Sequence, residues 1–230
     1  MITDIFQMVF NTGHLTELRL KKSLEATLVP LVSCGMKCLD VGCGNRPYEY
    51  LFPTGQYIGI DIETSGRPKA MKCPDFFYDG TVIPFGDGEF DLVISTQVLE
   101  HVPDPLLLLK EMARVCKSGG KLVISLPFVY QEHEEPYDFF RFTQFAVAEL
   151  LEKSGFRIVE SKRDSSAVDA IVTVANNYII TNLAPKIKGC WRIYAVLICF
   201  PLQVLALVLS KVLPDDGRFY LNRVVSAAKV

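Results

Sequence analysis

The sequence is short of several things that would commit it to a function. Net charge is nearly absent: 24 Lys and Arg stand against 26 Asp and Glu, a balance of −2 over 230 residues. No basic field therefore points to a nucleic-acid partner. No Cys-x-x-Cys pair occurs among the seven cysteines, at 34, 38, 43, 73, 116, 190 and 199, which argues against structural zinc. Their odd number, and the apolar runs in which several lie, fit small buried hydrophobes in a reduced, cytosolic compartment. With Asp4 early and no basic region ahead of an apolar run, the N-terminus does not read as a signal peptide. Internal repeats and low-complexity tracts are missing too. Hydrophobic side chains, by contrast, make up half of the residues. That is enough for one sizeable core, with the excess gathered near the C-terminus.

Within this chain, Lys37 to Asp61 reads as strand, glycine turn, short helix, strand. Cys38-Leu39-Asp40-Val41 places apolar residues around an acid, and Gly42-Cys43-Gly44 then permits a bend without a Cβ clash. Further on, Tyr57-Ile58-Gly59-Ile60-Asp61 is a second buried strand that ends in an acid. At the carboxyl edge of a parallel sheet this pattern makes a nucleotide site, with the turn amides toward the ligand and the second acid on ribose hydroxyls. Asn45-Arg46-Pro47 stands where a dinucleotide fingerprint needs its third glycine, so a pyrophosphate cradle is disfavoured.

The flanking segments supply the rest of an α/β pattern. From His14 to Ser33, Leu15, Leu18, Leu24, Leu28 and Leu31 recur at helical spacing, with a stop near Pro30. Asp75–Tyr78 and Phe90–Thr96 read as the third and fourth strands. Asp104-Pro105 opens a helix carrying Leu108, Leu109, Met112 and Val115, with Gly119 as its close. Lys121–Leu126 is the fifth strand, Thr143 to Gly155 a helix, and Phe156–Glu160 the sixth strand. Such alternation implies a parallel sheet with right-handed crossovers.

Taken in register, Leu39-Asp40-Val41-Gly42-Cys43-Gly44, Asp61, Asp79 before Ile83-Pro84-Phe85, Phe90-Asp91-Leu92-Val93, Val98-Leu99-Glu100-His101-Val102 and Lys117-Ser118-Gly119-Gly120-Lys121-Leu122 resemble the class I S-adenosylmethionine-dependent methyltransferases. The resemblance covers roughly residues 35 to 160 and is to the group that includes small-molecule and glycan-biosynthesis methylases. It implies a Rossmann-like, doubly wound, mostly parallel seven-stranded sheet whose last strand is antiparallel. It implies S-adenosyl-L-methionine as cofactor. Gly42, Cys43 and Gly44 would pass under its methionine part, and Asp40 would lie beneath its amino group. Asp61, with Ile62 beside it, would take the ribose, Asp79 with Gly80 the adenine edge, while Thr96 and Gln97 would line the floor near the methyl group. Asp91 reads instead as a strand-edge acid bonding backbone amides, and His101 as a structural hydrogen-bonder.

Acceptor chemistry falls on the loop after the fifth strand, Tyr130 to Arg141. His133 could take an acceptor proton, with Tyr137, Asp138 and Arg141 orienting it or binding a polar substrate. One histidine beside acids is too little for a metal, and none is expected. Pro136-Tyr137-Asp138-Phe139-Phe140-Arg141-Phe142-Thr143 resembles polysaccharide-cluster methylases.

Ile193 to Leu213 is an apolar run of bilayer-spanning length, preceded by Lys186, Lys188, Trp191, Arg192 and Tyr194. A strand after it, Phe219 to Lys229, must return to the cytosolic sheet, so an in-plane or re-entrant helix broken at Pro201 is expected rather than a single crossing. The expected organisation is one methyltransferase domain over 1–230. It comprises a helical cap (1–35), a cofactor-binding core (36–164), a hydrophobic helical insertion (165–217) and the last strand (218–230). The expected function is methylation of a small-molecule or lipid-linked acceptor, an oxygen of a glycan precursor first and a quinone or other lipid second. The setting is the cytoplasmic side of the inner membrane, with peripheral membrane contact through 190–213, no nucleic-acid partner and an option of homodimerisation. A cofactor-binding but inactive module, recruiting a partner through its apolar segment, is the alternative outside enzymes.

Overall fold

A computed structural model describes residues 11, 13–53, 55–186 and 195–230. Seven strands form one sheet in the order β3-β2-β1-β4-β5-β7-β6. They are β1 (Cys38–Val41), β2 (Tyr57–Ile62), β3 (Phe76–Tyr78), β4 (Phe90–Thr96), β5 (Cys116–Pro127), β6 (Phe156–Arg163) and β7 (Asn222–Lys229). β1 pairs in parallel with both β2 and β4, β2 with β3, and β4 with β5, whereas the β5-β7-β6 end is antiparallel. Chain order reverses between β1 and β4, which makes their carboxyl ends the switch point where α/β sheets open a ligand crevice.

The helices are α1 (His14–Leu28), α2 (Pro105–Val115), α3 (Gln144–Lys153), α4 (Ala167–Tyr178) and α5 (Phe200–Val212). Asp104 caps α2 by accepting from the Leu107 amide, with Pro105 in the first turn, as its sequence implies. Leu108, Leu109 and Met112 of α2 and Val147 and Leu151 of α3 then bury against Leu39, Val93, Leu122 and Ile124 of the sheet.

Several boundaries depart from the sequence reading, β7 among them, which starts at Asn222 and not at Phe219. The helix over 49–51 is only a single 3-10 turn. α2 stops at Val115 rather than at Gly119, because Cys116 is already extended and pairs with Phe90. The pairing then jumps from Phe90↔Cys116 to Leu92↔Lys121, so residues 117–120 bulge out of β5 instead of ending a helix, and Gly119 sits in the bulge at φ +73°. β6 also continues to Arg163, beyond Glu160.

The chain divides into two compact units. The larger, 24–128, 132–162 and 223–230, holds nearly all of the sheet. The smaller comprises described residues of 1–23, 129–131 and 163–222. In the smaller unit Leu15 and Ala206 are the buried centre of an apolar cluster with Leu18, Val168, Val172, Phe200 and Leu207. Gln203, fully buried in the middle of the apolar run, accepts a hydrogen bond from the Leu15 amide at 3.0 Å, and Arg19 pairs with the buried Asp169 at 3.0 Å. Pro201 lies in the first turn of α5, which follows directly on a π-helical stretch over Ala195–Cys199, so the helix changes form beside that proline. No helix among the described residues is long and apolar enough to cross a membrane. Of the expected interfacial anchor, Lys188, Trp191, Arg192 and Tyr194 lie outside the described residues, as does Ile193 at the start of the apolar run.

Candidate functional site

The glycine turn begins where β1 runs out. Gly42 adopts φ +76°, and a Cβ there would lie 2.4 Å from Cγ2 of Val98, just beyond β4. Glycine is thus required twice, by the dihedral and by the close approach. The amides of Gly42 and Cys43 both donate to the Ile60 carbonyl, at 2.8 and 3.1 Å. The Gly44 amide donates to Asp61 Oδ2 at 2.9 Å. All three turn amides are therefore satisfied within the chain, and the sequence-based picture of amides aimed at a ligand is corrected. Close approach to a bare glycine backbone is what this turn can offer. Cys43 is buried with its thiol over Gly59, where a Cβ would meet the sulfur at 2.8 Å. Burial, and then the charge of Asp40, push that thiol well above its ordinary pKa.

The acids at the ends of β1 and β2 differ in how they are held. Asp61 accepts the Ile62 amide at 2.7 Å and the Gly44 amide, and lies 3.3 Å from the buried Lys72 ammonium. Three donors on a carboxylate leave about one of its roughly four acceptor positions. Asp40 is fully buried, and Tyr57 donates its hydroxyl proton to Oδ2. Oδ1 has no partner. Burial pushes the Asp40 carboxyl up to about 7, against the pull of the Tyr57 hydrogen bond and of Arg46. Farther along, Asp79 follows β3 and is exposed; it accepts the Thr81 and Val82 amides at 2.8 and 3.0 Å, which hold its carboxyl low. Gly80 follows at φ +84°, with room for a Cβ only against Ile62. At the end of β4, Thr96 pairs with Ser125, while Gln97 (φ +56°) donates from its amide to the Ser125 carbonyl and from Nε2 to Ser125 Oγ at 3.1 Å. Asp40, Gly42, Cys43, Gly44, Asp61, Ile62, Asp79, Gly80, Thr96 and Gln97 thus lie along one edge, the carboxyl ends of β1 to β4.

Residues 132–142 are pinned to the turn that follows β4. The amides of Phe139 and Phe140 donate to the Glu100 carbonyl at 2.8 and 3.3 Å, and His101 Nδ1 bonds the Tyr137 carbonyl at 2.8 Å. Arg67 Nε pairs with Glu134 at 2.6 Å, and a Cβ on the neighbouring Gly66 would collide with the Glu134 backbone. Within this segment Asp138 is the hub. It accepts from both terminal nitrogens of Arg141 at 2.7 Å, from the His133 amide at 2.9 Å and from His133 Nδ1 at 3.1 Å. Arg141 holds the Asp138 carboxyl far below its usual range, while partial burial lowers the His133 pKa against the opposing charge of Asp138. His133, Asp138 and Arg141 therefore form one hydrogen-bonded chain. Tyr137 stands beside it: its carbonyl bonds His101 Nδ1, and its side chain is exposed. Asp91 and His101 have the structural partners expected of them: Asp91 bonds the Lys37 amide at 2.9 Å and Lys117 Nζ at 2.6 Å.

Sequence reasoning left out four residues of this site: Tyr57, Gly59, Lys72 and Glu100. Glu100 is the most consequential, a fully buried carboxylate with neither oxygen hydrogen-bonded. Burial raises its carboxyl to about 8, Arg141 pulling the other way. The signal was a glutamate and histidine placed directly after a buried strand, read only as part of a motif.

Residues 39–124 match the family model described as methyltransferase domain. A demethylmenaquinone methyltransferase of Geobacillus sp. (strain WCH70) is 32% identical over 140 residues, covering 54% of this chain and 60% of that protein. An uncharacterized methyltransferase of Mycobacterium sp. (strain JLS) is 37% identical over 97 residues, 40% of this chain and 38% of its own. The chain thus spans about two fifths to three fifths of these two relatives. Among solved structures, an S-adenosylmethionine dependent methyltransferase from Mesorhizobium loti superposes with a TM-score of 0.57 at 17% identity, covering 94% of this chain and all of that one.

Proposed function

We propose, on the premise that residues 39–124 are a methyltransferase domain of the class I S-adenosylmethionine-dependent type, that this chain methylates an oxygen of a small or lipid-linked acceptor, a glycan precursor in the first instance. The observation that carries the cofactor half is Asp40. Its buried, unpartnered Oδ1 needs a donor, and an ammonium beside the glycine turn supplies one. The other residues fit the same group. Gly42 and Gly44 admit it closely, Asp61 with Ile62 keeps an acceptor position for a hydroxyl pair, and Asp79 with Gly80 stands at the exposed far end. Thr96 and Gln97 close the floor. When bound, S-adenosylmethionine supplies an electrophilic methyl group on its sulfonium.

The acceptor half is the segment 132–142. Asp138, itself fixed by Arg141, directs Nδ1–H of the neutral His133 ring and so turns Nε2 to the role of acceptor for a hydroxyl proton. In-line displacement needs alignment above all, and the ties from this segment to Glu100 and Arg67 provide it. The exposed aromatic side chains Tyr137, Phe139 and Phe140 offer stacking for a sugar or a quinone ring.

One observation favours a quinone reading in second place: a relative named as a demethylmenaquinone methyltransferase. Either acceptor fits a position on the inner membrane face, and α5 supports that position by exposing Leu205, Val208 and Val212 on one flank. We read residues 165–217 as an insertion of this kind within one methyltransferase domain. The test is release of S-adenosylhomocysteine with lipid-linked sugars and with demethylated quinones, in vesicles and in detergent. Turnover on the sugars supports the first reading and turnover on quinones alone the second. Cofactor binding without turnover on either returns the chain to a recruiting module.

A further inference from the structure

Three metal-ligating side chains converge where the turn after β4 meets the 132–142 segment. A ligand atom from each of Glu100, His101 and His133 lies within 4.8 Å of the other two. Glu100 Oε1 is 3.9 Å from His101 Nε2, too far for a hydrogen bond, and both Glu100 oxygens are buried without a partner. Buried and unbonded, the Glu100 carboxyl is costly to ionise on its own, and a cation beside it removes that cost. The two imidazoles stack edge to face with centroids 4.8 Å apart. Each commits Nδ1 to an acceptor, His101 to the Tyr137 carbonyl and His133 to the Asp138 carboxylate. That fixes both rings in the tautomer with the lone pair on Nε2, the outer-shell arrangement that orients histidine ligands around a metal. The frame is stiff, since the Glu100 carbonyl anchors the Phe139 and Phe140 amides of the same segment.

We propose that Glu100, His101 and His133 form a binding site for one divalent cation of the zinc class, with a coordination position left open. Two imidazole nitrogens and one carboxylate select borderline metals over magnesium or calcium, which want an all-oxygen shell. Three protein ligands with an open fourth position are the pattern of a catalytic rather than a structural zinc site. Coordination at about 2.0–2.1 Å requires the ligand atoms to draw in from their present spacing. If the 132–142 segment faces the acceptor, as proposed above, the open position receives the acceptor oxygen and the cation lowers its pKa. His133 then serves as ligand instead of proton acceptor. The site itself does not depend on that reading.

The test is uptake of cobalt(II) by the full chain, followed by its visible d–d absorption and by metal analysis after desalting. We expect one equivalent, displaced by zinc and not by excess magnesium. Glu100→Gln, which keeps shape and removes charge, and His133→Ala should each weaken it by more than the roughly 10–100-fold expected for Asp138→Asn, the outer-shell change. Melting curves of each variant confirm that it is folded. Failure of the wild-type chain to retain cobalt overturns the proposal, as does undiminished uptake in either folded ligand variant. Titration of the same samples with S-adenosylmethionine is a separate readout: its failure would overturn the cofactor assignment and leave the metal result standing.

Discussion

The two halves of the proposed site, cofactor and acceptor, are built in opposite ways. The cofactor side is assembled from strand ends, so its residues are positioned by backbone pairing: Gly42 and Cys43 bond Ile60, and Asp61 reaches back to Gly44. The acceptor side is an irregular segment held by side chains and carbonyls from elsewhere in the chain, Glu100, His101 and Arg67. A strand-end site tolerates little change in its backbone and much in its surroundings. A segment pinned by a few polar contacts can be re-aimed by changing one of them, which suits the part of an enzyme that chooses the substrate.

The sharpest way to separate the halves is His133→Ala. Turnover should fall by about 10²–10⁴-fold, while the cofactor dissociation constant measured by calorimetry stays unchanged. A shift in that constant would join the two halves again. Gly42→Ala should act in the other direction. The positive φ and the contact with Val98 together imply a loss of about 2–5 kcal/mol in stability, read from denaturant unfolding, and with it the loss of cofactor binding. Asp61→Ala leaves the acceptor side intact but removes a charged acceptor, for which about 1.5–3 kcal/mol of binding is expected. That is roughly a 10–150-fold rise in the cofactor dissociation constant.

The smallest effect concerns pH. The Asp40 carboxyl is raised to about 7 by burial, so below that value it is protonated and offers no charge to an ammonium. Cofactor affinity should therefore rise with pH up to about 7, by at most about tenfold per unit, and level off above it. Asp40→Asn should abolish the slope. A flat profile in the wild-type chain would mean that Asp40 does not meet the ammonium.

How much of this was readable beforehand follows the same division. β1, β2, β4 and the α2 cap rest on local rules, two-sided apolar runs and an Asp-Pro start, and they lie where those rules put them. The bulge at 117–120 did not show, because only the neighbouring strand decides whether Cys116 is extended. His133, Asp138 and Arg141 were identifiable as neighbours in sequence, and the structure links them in one hydrogen-bonded chain. Glu100 and Lys72 were not, since nothing in a sequence says that a charged side chain will be buried against residues distant along the chain. Likewise, hydropathy marks Gln203 only as an interruption of an apolar run; that it is buried and bonded to the Leu15 amide needs the packing of α1 against α5.

The central claim is that the carboxyl ends of β1 to β4 hold S-adenosylmethionine. Its most direct test is a calorimetric titration of the purified chain with S-adenosylmethionine and, in parallel, with NADH. Saturable binding of the first, with one site per chain, is expected, and none of the second. Absence of S-adenosylmethionine binding, or binding of NADH in its place, would contradict it.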